Sequence, residues 1–459
     1  MTRPPGRAGA PWTLARAEAH LRSLELFGMR FGLDRMRRMM TALGSPERGY
    51  ESIHVIGTNG KSSTTRMIAA ILARYGLRTA SYTSPHLVSY RERLQVGERD
   101  LEAVEFAGAI AGSAHAAERV NRTLGEDDHV TQFELLTAAA FAEMARQEVQ
   151  VGVVEAGLGG RYDATSVIDS RVTVLTNVAL EHTRWLGPTL RDIAEEKLAV
   201  VRPNTTLVLG AGLAAPALSV ATRVARDRGA RIVHAPAEPA AEPRLAPGSF
   251  QRRNFALACA ASEELLRDEG GRRGPGWAEP FDAGRHRRAV REAALTIAVP
   301  GRLQLLAEDP PTVLDAAHNP DAVAALLQSL PAMIAGRPLA LVLGVLEDKD
   351  AAGMLGPLLG ACERAWFTAP PSSRALSPAA LQSLARQRGF ERVACTLRPA
   401  QALAGAQRWA REHDAAVLAT GSVYLVGDLL AGMQAGLHAG ASPAPLDVRA
   451  SARPGGASR

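Results

Sequence analysis

Cysteine is scarce in this 459-residue chain, which contains only Cys259, Cys362 and Cys395. The three lie far apart, and none belongs to a Cys-x-x-Cys pair. This spacing excludes a cysteine zinc site and a disulfide framework. It favours the interpretation that the cysteines are small buried side chains.

A strong excess of charge is also missing. The 53 Lys and Arg against 47 Asp and Glu give a formal net charge of +6, and the arginines are scattered rather than arranged in a stripe. This balance slightly favours small anionic ligands and does not indicate a nucleic-acid partner. We therefore expect small-molecule partners and no nucleic acid.

The sequence has no clear apolar segment for a membrane. Its N-terminus lacks an apolar signal core. Residues 203–222 carry no formal charge, but Pro203, Gly210, Gly212 and Pro216 interrupt them. They therefore favour strand, turn and helix over a membrane span. We expect a cytoplasmic monomer that does not bind membranes.

The chain does contain apolar strands that alternate with amphipathic helices. This alternation predicts an α/β fold with parallel sheets and helices on both faces. We predict a larger parallel-sheet domain with N-terminal helices over residues 1–298, and a smaller, Rossmann-like α/β C-terminal domain over 299–438. The Ala/Pro/Gly/Ser-rich residues 439–459 are predicted to be a disordered tail.

The clearest functional pattern begins with a short apolar strand at 52–56. Residues 57–60 form a glycine-bounded turn, and 64–75 have helical spacing. A strand, such a loop, and Lys61 with hydroxyls at a helix start are typical of a phosphate cradle. The match is imperfect because Val55 stands where the usual pattern has its first glycine. A phosphate cradle would make the larger domain a parallel-sheet P-loop ATPase domain. The alternative interpretation is an ordinary tight turn.

Other polar residues fall at the ends of predicted strands, where ligands bind in open α/β sheets. Glu155 ends a buried strand beside a Gly-rich turn, which suits a carboxylate that holds magnesium on a nucleotide. A solvated strand end is the alternative. Ser84 and the stretch 177–182 have similar positions, and Asp315 and His318 end a strand of the second domain. The last two could close over a bound nucleotide.

Three residues invite structural interpretations. Thr131 and Glu134 have the spacing of a helix capping box, which favours a structural role for Glu134 over a catalytic one. Lys197 follows two glutamates in a helical stretch, so its spacing favours a solvent-facing lysine paired with one of them. His182 is not selected as a ligand by spacing, since magnesium prefers oxygen.

Seven motifs follow one another along the chain. They are Gly-Thr-Asn-Gly-Lys at 57–61, Thr-Ser-Pro-His-Leu at 83–87, Gly-Leu-Gly-Gly-Arg-Tyr-Asp-Ala-Thr at 157–165, Leu-Gly-x-Thr at 186–189 with Glu-Lys at 196–197, Pro-Gly-Arg-Leu-Gln at 300–304, Asp-x-Ala-His-Asn-Pro at 315–320 and Gly-Ser-Val-Tyr-Leu-Val-Gly at 421–427. Taken together, they resemble the folylpolyglutamate synthase/dihydrofolate synthase family, a branch of the Mur ligase superfamily. The resemblance covers about residues 13–436.

The resemblance implies an ATP-dependent ligase that uses magnesium. In this family a folate carboxylate attacks the γ-phosphate of ATP to give an acyl phosphate, and the amino group of L-glutamate then displaces phosphate. The acceptor is a folate or dihydropteroate. The sequence leaves open whether one or both reactions occur.

The resemblance also implies site residues by position. The phosphate loop comprises Gly57, Thr58, Asn59, Gly60, Lys61, Ser62 and Ser63. The magnesium ligands are Ser84, Glu155, His182 and a carbamylated Lys197. ATP contacts between the domains come from Asn254, Arg302, Asp315 and His318. The pterin/folate pocket includes Phe133, Arg161, Asp163 and Thr165. The predicted catalytic residues are Lys61, Glu155, His182 and Lys197.

The chain departs from the family pattern at three places. Ser62 replaces the usual glycine after the loop lysine, Glu181 replaces the usual aspartate before the histidine, and 198–200 differ from the usual Ala-Gly-Ile. Two alternatives remain: a Mur-type ligase with another carboxylate acceptor, and a nucleotide-binding module without activity. Retention of all four predicted catalytic residues weighs against the second.

Overall fold

Two α/β units, each built on its own sheet, make up the computed structural model, which describes residues 11–24, 32–239, 241, 249–268 and 280–439. The predicted tail lies outside these residues, except for Ala439. In the described residues no helix is long and apolar enough to cross a membrane.

The first unit contains an eight-stranded sheet with strand order β4-β3-β2-β5-β1-β6-β7-β8. All its neighbouring strands are parallel except at one edge, where β3 is antiparallel to both β2 and β4. The strands are β1 (Glu51–Ile56), β2 (Thr79–Tyr82), β3 (Leu94–Val96), β4 (Arg99–Asp100), β5 (Val151–Glu155), β6 (Val172–Leu175), β7 (Thr206–Leu209) and β8 (Arg231–His234).

Helices cover both faces of this sheet because its central strands are apolar on both sides. The helices are α1 (Leu14–Ser23), α2 (Asp34–Ala42), α3 (Lys61–Arg74), α4 (Ala103–Asn121), α5 (Gln132–Arg146), α6 (Thr183–Leu186), α7 (Leu190–Leu198), α8 (Ala215–Arg228), α9 (Ser249–Arg267) and α10 (Ala283–Thr296). On one face of the sheet, Ile53 and Val55 of β1 pack with α3, α9 and α10. On the other face, Ile56 of β1 packs with α7 and α8, and α1, α2, α4 and α5 cover the rest of that face.

The second unit is a six-stranded sheet with strand order β13-β12-β11-β14-β10-β9, parallel except for β9. Its strands are β9 (Gln304–Glu308), β10 (Pro311–Leu314), β11 (Leu339–Leu343), β12 (Arg364–Phe367), β13 (Val393–Cys395) and β14 (Ala416–Thr420). Its helices are α11 (Pro320–Ser329), α12 (Pro331–Ile334), α13 (Ala351–Ala361), α14 (Pro378–Arg386), α15 (Pro399–Glu412) and α16 (Val423–Ala439).

The predicted α/β class is therefore confirmed, with sheets that are mixed rather than wholly parallel. The antiparallel strands β3, β4 and β9 were not predicted, because they are short or half-exposed and carry little apolar alternation. The predicted domain boundary at 298/299 falls in the connection between α10 and β9. Its position stays a prediction.

The capping box at the start of α5 is confirmed. Thr131 Oγ1 accepts a hydrogen bond from the Glu134 N–H, and the Glu134 carboxylate accepts one from the Thr131 N–H at 2.9 Å. The structure adds a partner, since the buried guanidinium of Arg35 on α2 donates to both Glu134 oxygens at 3.0 Å. Glu134 therefore joins two helices.

Replacing Arg35 by alanine is expected to lower the free energy of unfolding by about 3 kcal/mol, because it leaves Glu134 as a buried carboxylate without its cation. Urea unfolding followed by circular dichroism would measure the change. Arg38→Ala on the same helix is the matched control, since Arg38 pairs with Asp34 at the surface and should cost less than about 1 kcal/mol. Equal effects of the two changes would contradict the buried-pair account.

Candidate active site

The carboxyl ends of β1, β5 and β6 face the carboxyl end of β10 across a cavity of about 1120 Å³. Both units line it, so the cavity lies between them. The predicted residues on its walls are Gly57, Thr58, Asn59, Gly60, Lys61, Ser62, Ser63, Ser84, Glu155, His182, Lys197, Asn254, Arg302, Asp315 and His318. Every predicted catalytic, metal and ATP residue is thus brought to one place.

The loop between β1 and α3 has the geometry expected of a phosphate cradle. A side chain at Gly57 would overlap Thr176 Oγ1, and one at Gly60 would lie 2.6 Å from Asn254 Oδ1. Both glycines also have positive φ angles, 142° and 82°, which other residues rarely adopt. The loop therefore needs glycine at both ends.

Helix α3 begins at Lys61, three residues earlier than predicted, because Gly60 takes a left-handed conformation and caps it. Thr64 is the first residue of α3 whose N–H donates to a carbonyl of the same turn, that of Gly60. The N–H groups of the first turn of a helix have no acceptor within the helix. The earlier start therefore points the amides of Lys61, Ser62 and Ser63 towards the cavity, where they suit an anion.

Glu155 is buried at the end of β5, so the alternative of a solvated strand end was wrong. Its carboxylate accepts hydrogen bonds from Ser62 Oγ and from the Ser84 N–H, both at 3.0 Å. Burial raises the pKa of Glu155 above its ordinary value, and the charge of Lys61 opposes that rise. Ser62, which departs from the family pattern, thus has a structural partner at the site.

His182 lines the same cavity as Glu155 and precedes the short helix α6. Burial, and then the charge of Lys349, lowers the pKa of His182 to about 4. The imidazole is therefore neutral at pH 7 and has a lone pair for a metal ion. Its role as a magnesium ligand, implied by the resemblance, stays a prediction.

Lys197 is not on the solvent-facing side of α7, and that interpretation was wrong. It is 3% exposed, and Nζ donates to the carbonyl oxygens of Gly57 at 2.9 Å and Leu158 at 3.2 Å. Burial, and then the charge of Lys61, lowers the pKa of Lys197 to about 7. The two preceding glutamates pair instead with arginines of other elements.

The Gly-Leu-Gly-Gly motif makes room for this lysine. A side chain at Gly160 would lie 2.8 Å from Lys197 Cα. The turn after β5 can therefore pass directly over α7, which places the Leu158 carbonyl against the ammonium group. The motif and the buried lysine are parts of one arrangement.

The donor set fits a magnesium ion only in part. Ser84, Glu155 and His182 line one wall, and in the described residues no group of three or more His, Cys, Asp or Glu side chains forms a metal cluster. Magnesium prefers six oxygen ligands. A metal here would therefore also take oxygens from a nucleotide, water or a carbamate on Lys197.

The second unit contributes the opposite wall. Asp315 is buried and accepts hydrogen bonds from the N–H groups of Leu303 and Ala317, each at 2.8 Å. Burial raises the pKa of Asp315 above its ordinary value. Asp315 thereby shapes the turn that carries Arg302, as well as lining the cavity itself.

Asn59 of the loop contacts this wall directly. Its side-chain amide exchanges hydrogen bonds with that of Asn319 at 2.9 and 3.3 Å, and it donates to Asp321 at 2.9 Å. Asn319 caps α11, and Pro320 is its first residue. The phosphate loop therefore meets the start of a helix in the other unit.

A second contact between the units centres on Glu181. Its Oε1 lies 2.9 Å from Lys349 Nζ, 3.2 Å from His318 Nε2 and 3.8 Å from His182 Nε2. Burial alone would raise the pKa of Glu181, but His318 and Lys349 hold it well below its ordinary value. The carboxylate is therefore charged and links the two walls.

Lys349 is the residue of this contact that was not predicted. The chain has only three lysines, and they are Lys61, Lys197 and Lys349. All three lie at the cavity or in the contact across it. The scarcity of lysine is therefore the sequence signal that could have found Lys349.

Replacing Lys349 by methionine is expected to raise the KM for ATP at least ~10-fold, because it leaves a buried carboxylate without its cation in the contact that joins the two walls. Steady-state kinetics with varied ATP would measure it. Arg374→Ala is the matched control, since Arg374 forms a half-exposed pair with the neighbouring Asp348 at 3.2 Å. An unchanged KM for the Lys349 variant would contradict the role of this contact.

The four predicted folate residues lie outside this cavity. Thr165 is fully buried, and its hydroxyl is 2.9 Å from His54 Nε2. Asp163 accepts from the Leu158 N–H at 2.9 Å, and Phe133 packs beside it against Gly157. Arg161 is half-exposed and lines a separate cavity. Their contact with substrate stays a prediction.

Two families of known proteins match the chain. The Mur ligase middle domain matches residues 55–211, and the family described as "Mur ligase, glutamate ligase domain" matches residues 301–423. The dihydrofolate synthase/folylpolyglutamate synthase of Mycobacterium tuberculosis is 32% identical over 395 residues, which cover 79% of this chain and 79% of that protein.

Solved structures are similar over almost the whole chain. The Mycobacterium tuberculosis folylpolyglutamate synthase complexed with ADP and AMPPCP is 29% identical, with a TM-score of 0.81 over 91% of this chain and 97% of that one. Escherichia coli FolC in complex with DHPP and ADP is 28% identical, with a TM-score of 0.78 over 92% of this chain and 98% of that one. A bifunctional folylpolyglutamate synthase/dihydrofolate synthase with Mn, AMPPNP and L-glutamate bound is 27% identical, with a TM-score of 0.74 over 92% of this chain and 98% of that one.

Proposed function

Because the chain belongs to the dihydrofolate synthase/folylpolyglutamate synthase family, whose members join L-glutamate to folates with ATP, we propose that the cavity between its two units is the site of that reaction. The chain is an ATP-dependent glutamate ligase. The observation that carries the proposed site is the meeting of Lys61, Glu155, His182 and Lys197 in one cavity.

The triphosphate lies against the loop between β1 and α3. Support comes from the two required glycines, the amides at the start of α3 and the adjacent Lys61. The adenosine end lies towards Asn254, which contacts the loop at Gly60, and Arg302 faces it from the second unit. Nucleotide binding in this position needs both units.

The folate carboxylate attacks the γ-phosphate, which gives an acyl phosphate and ADP. Two anions must approach each other, so the main tasks of the protein are positioning and neutralisation of charge. Lys61 and the loop amides supply positive charge that is already in place. Magnesium, held by Ser84, Glu155 and His182, would neutralise further charge on the phosphates.

L-Glutamate then attacks the acyl phosphate through its amino group and displaces phosphate. A carbamylated Lys197 would present a carboxylate at the buried end of α7, where the structure has an amine with a pKa of about 7. A neutral amine is the form that reacts with carbon dioxide, and one proton is released. We assign Lys197 to metal binding in this form.

Both walls of the proposed site come from one chain, which supports a monomer as the active form. The enzyme would work in the cytoplasm, where ATP is supplied. Gel filtration of the active protein tests this state, and an active species of twice the mass would contradict it.

One assay with several acceptors tests the substrate assignment. Phosphate release is measured with ATP, magnesium and L-glutamate, and with dihydropteroate, tetrahydrofolate or a peptidoglycan precursor as acceptor. We expect release with one or both pteridines and none with the peptidoglycan precursor. Release with the peptidoglycan precursor alone would overturn the folate assignment, and the two pteridine rates decide between one reaction and two.

A further inference from the structure

Three of the sequence motifs meet at a single residue, Leu87. Leu87 ends the Thr-Ser-Pro-His-Leu motif of the first unit, yet it packs against the apolar core of the second. Gly301 and Gly427 approach Leu87 there, and Val426 lies beside Gly301. They belong to the Pro-Gly-Arg-Leu-Gln and Gly-Ser-Val-Tyr-Leu-Val-Gly motifs. We call these three residues the Leu87 socket.

The socket leaves no space for larger residues. A side chain on Gly427 would overlap the carbonyl oxygen of Leu87. One on Gly301 would lie 3.0 Å from Leu87 Cδ1 and 3.1 Å from Val426 Cγ1. Gly427 lies inside α16, where glycine weakens a helix relative to alanine. Its presence there is explained by the close approach of Leu87.

The segment that carries Leu87 is held firmly on its own side. The carboxylate of Glu92 accepts hydrogen bonds from three successive amides, those of Leu87 at 2.9 Å, Val88 at 2.9 Å and Ser89 at 2.7 Å. Three residues before Leu87, the Ser84 N–H donates to Glu155 at 3.0 Å. The segment therefore connects Glu155 with the second unit through a few constrained residues.

The Leu87 socket also lies next to the cavity wall that the second unit contributes. Arg302 follows Gly301 directly and lines the cavity, and Val423 does so one turn before Gly427. The Gly301 carbonyl accepts the N–H of Ala316, next to Asp315. A shift of the second unit would thus reach both Arg302 and Ser84.

We propose that Leu87 is a positioning residue for ligation: held in its socket, it ties Ser84 and Glu155 to the position of the second unit. This contact thereby fixes the position of the two cavity walls relative to each other. The inference rests on the proposed placement of the reaction beside Ser84 and Glu155. Leu87 itself does not touch the reacting atoms.

The test compares two glycines of the same helix. Gly427→Ala adds a methyl group against Leu87, whereas at Gly432 the added methyl group would meet nothing within 4 Å. We expect Gly427→Ala to lower kcat at least ~10-fold, because small misplacements of reacting groups are costly. It should also raise the magnesium concentration needed for half the maximal rate. Gly432→Ala should match the parent protein in both.

Hydrogen exchange supplies a readout that needs no substrate. The amides of residues 84–92 should exchange faster in Gly427→Ala, while those of β1 and β5 keep their rates. Leu87→Ala should give the same pattern, and its control is Val88→Ala, whose side chain is 38% exposed. If the Gly427→Ala variant does not fold, the Leu87→Ala variant alone provides the test of the proposal.

Unchanged exchange at 84–92 in a folded variant would overturn the coupling. Faster exchange with parental kcat and magnesium dependence would overturn the positioning role. A parent protein with no ligase activity would instead contradict the proposed function, and the exchange arm would still report on the socket. A fall in thermal stability alone, with parental kinetics, would make Leu87 a packing residue only.

Discussion

Replacing Lys61 by alanine is expected to reduce the rate of ligation about 10³-fold, the scale of loss seen when a preorganised charge at a transferring phosphoryl group is removed. Lys61 begins α3, and its Nζ lies 3.0 Å from the Thr58 carbonyl inside the phosphate loop. It can therefore turn from that carbonyl to a phosphate without any change in the backbone.

Phosphate release under saturating ATP and folate measures this loss. Arg74→Ala, at the other end of the same helix, is the matched control, because Arg74 pairs with Glu98 and Thr296 away from the cavity. Lys61→Arg should fail as well, since a planar guanidinium does not replace a compact ammonium group at a close site. A Lys61→Ala variant with parental activity would contradict the phosphate-cradle assignment.

Replacing Lys197 by alanine is expected to lower the rate at least ~100-fold, because the carboxylate that carbamylation supplies would be lost together with its place in the metal site. Short carboxylic acids such as formate or acetate should restore part of the rate. Lys197→Arg should remain inactive, since guanidinium does not form a carbamate. Parental activity of Lys197→Ala would mean that the lysine has only a structural role.

The carbamate can also be detected directly. With ¹³C-labelled bicarbonate, the parent protein should show one carbamate signal in its carbon NMR spectrum, and Lys197→Ala should lack it. The assignment is simple because Lys61 and Lys349 are the only other lysines. Persistence of the signal in Lys197→Ala would place the modification elsewhere.

The lowered pKa of Lys197 also has a consequence for stability. Between about pH 7 and the ordinary lysine value the unfolded chain binds the proton more readily than the native protein. Native stability contributed by this group therefore rises with pH over that range. Urea unfolding of the unmodified protein, compared with Lys197→Met, should show this rise only for the parent. The same slope in both proteins would contradict the buried amine.

The local signals in the sequence were sufficient for the parts of the site that are formed within a few residues. The phosphate loop, the capping box at Thr131 and the Asn319 cap each depend on short-range patterns, and the structure has all three. Helix α3 begins earlier than its apolar spacing indicates, because that spacing does not report the polar first turn.

The spacing of residues in the sequence did not predict which polar side chains are buried. The glutamates that precede Lys197 predict a surface residue. In the structure Lys197 is buried, because the turn at Gly160 covers it. The contact of Glu181 with Lys349 joins residues 168 positions apart, and no periodicity indicates such a pair. The Leu87 socket is hidden for the same reason, although each of its motifs is visible separately.

The position of the triphosphate is the most direct test of this account. A crystal structure of the protein with magnesium and a non-hydrolysable ATP analogue should show the β- and γ-phosphates against the amides of Lys61, Ser62 and Ser63, within hydrogen-bond distance of Lys61 Nζ. Arg302 and His318 should face the nucleotide from the other unit. A triphosphate bound elsewhere, with that loop empty, would contradict the account.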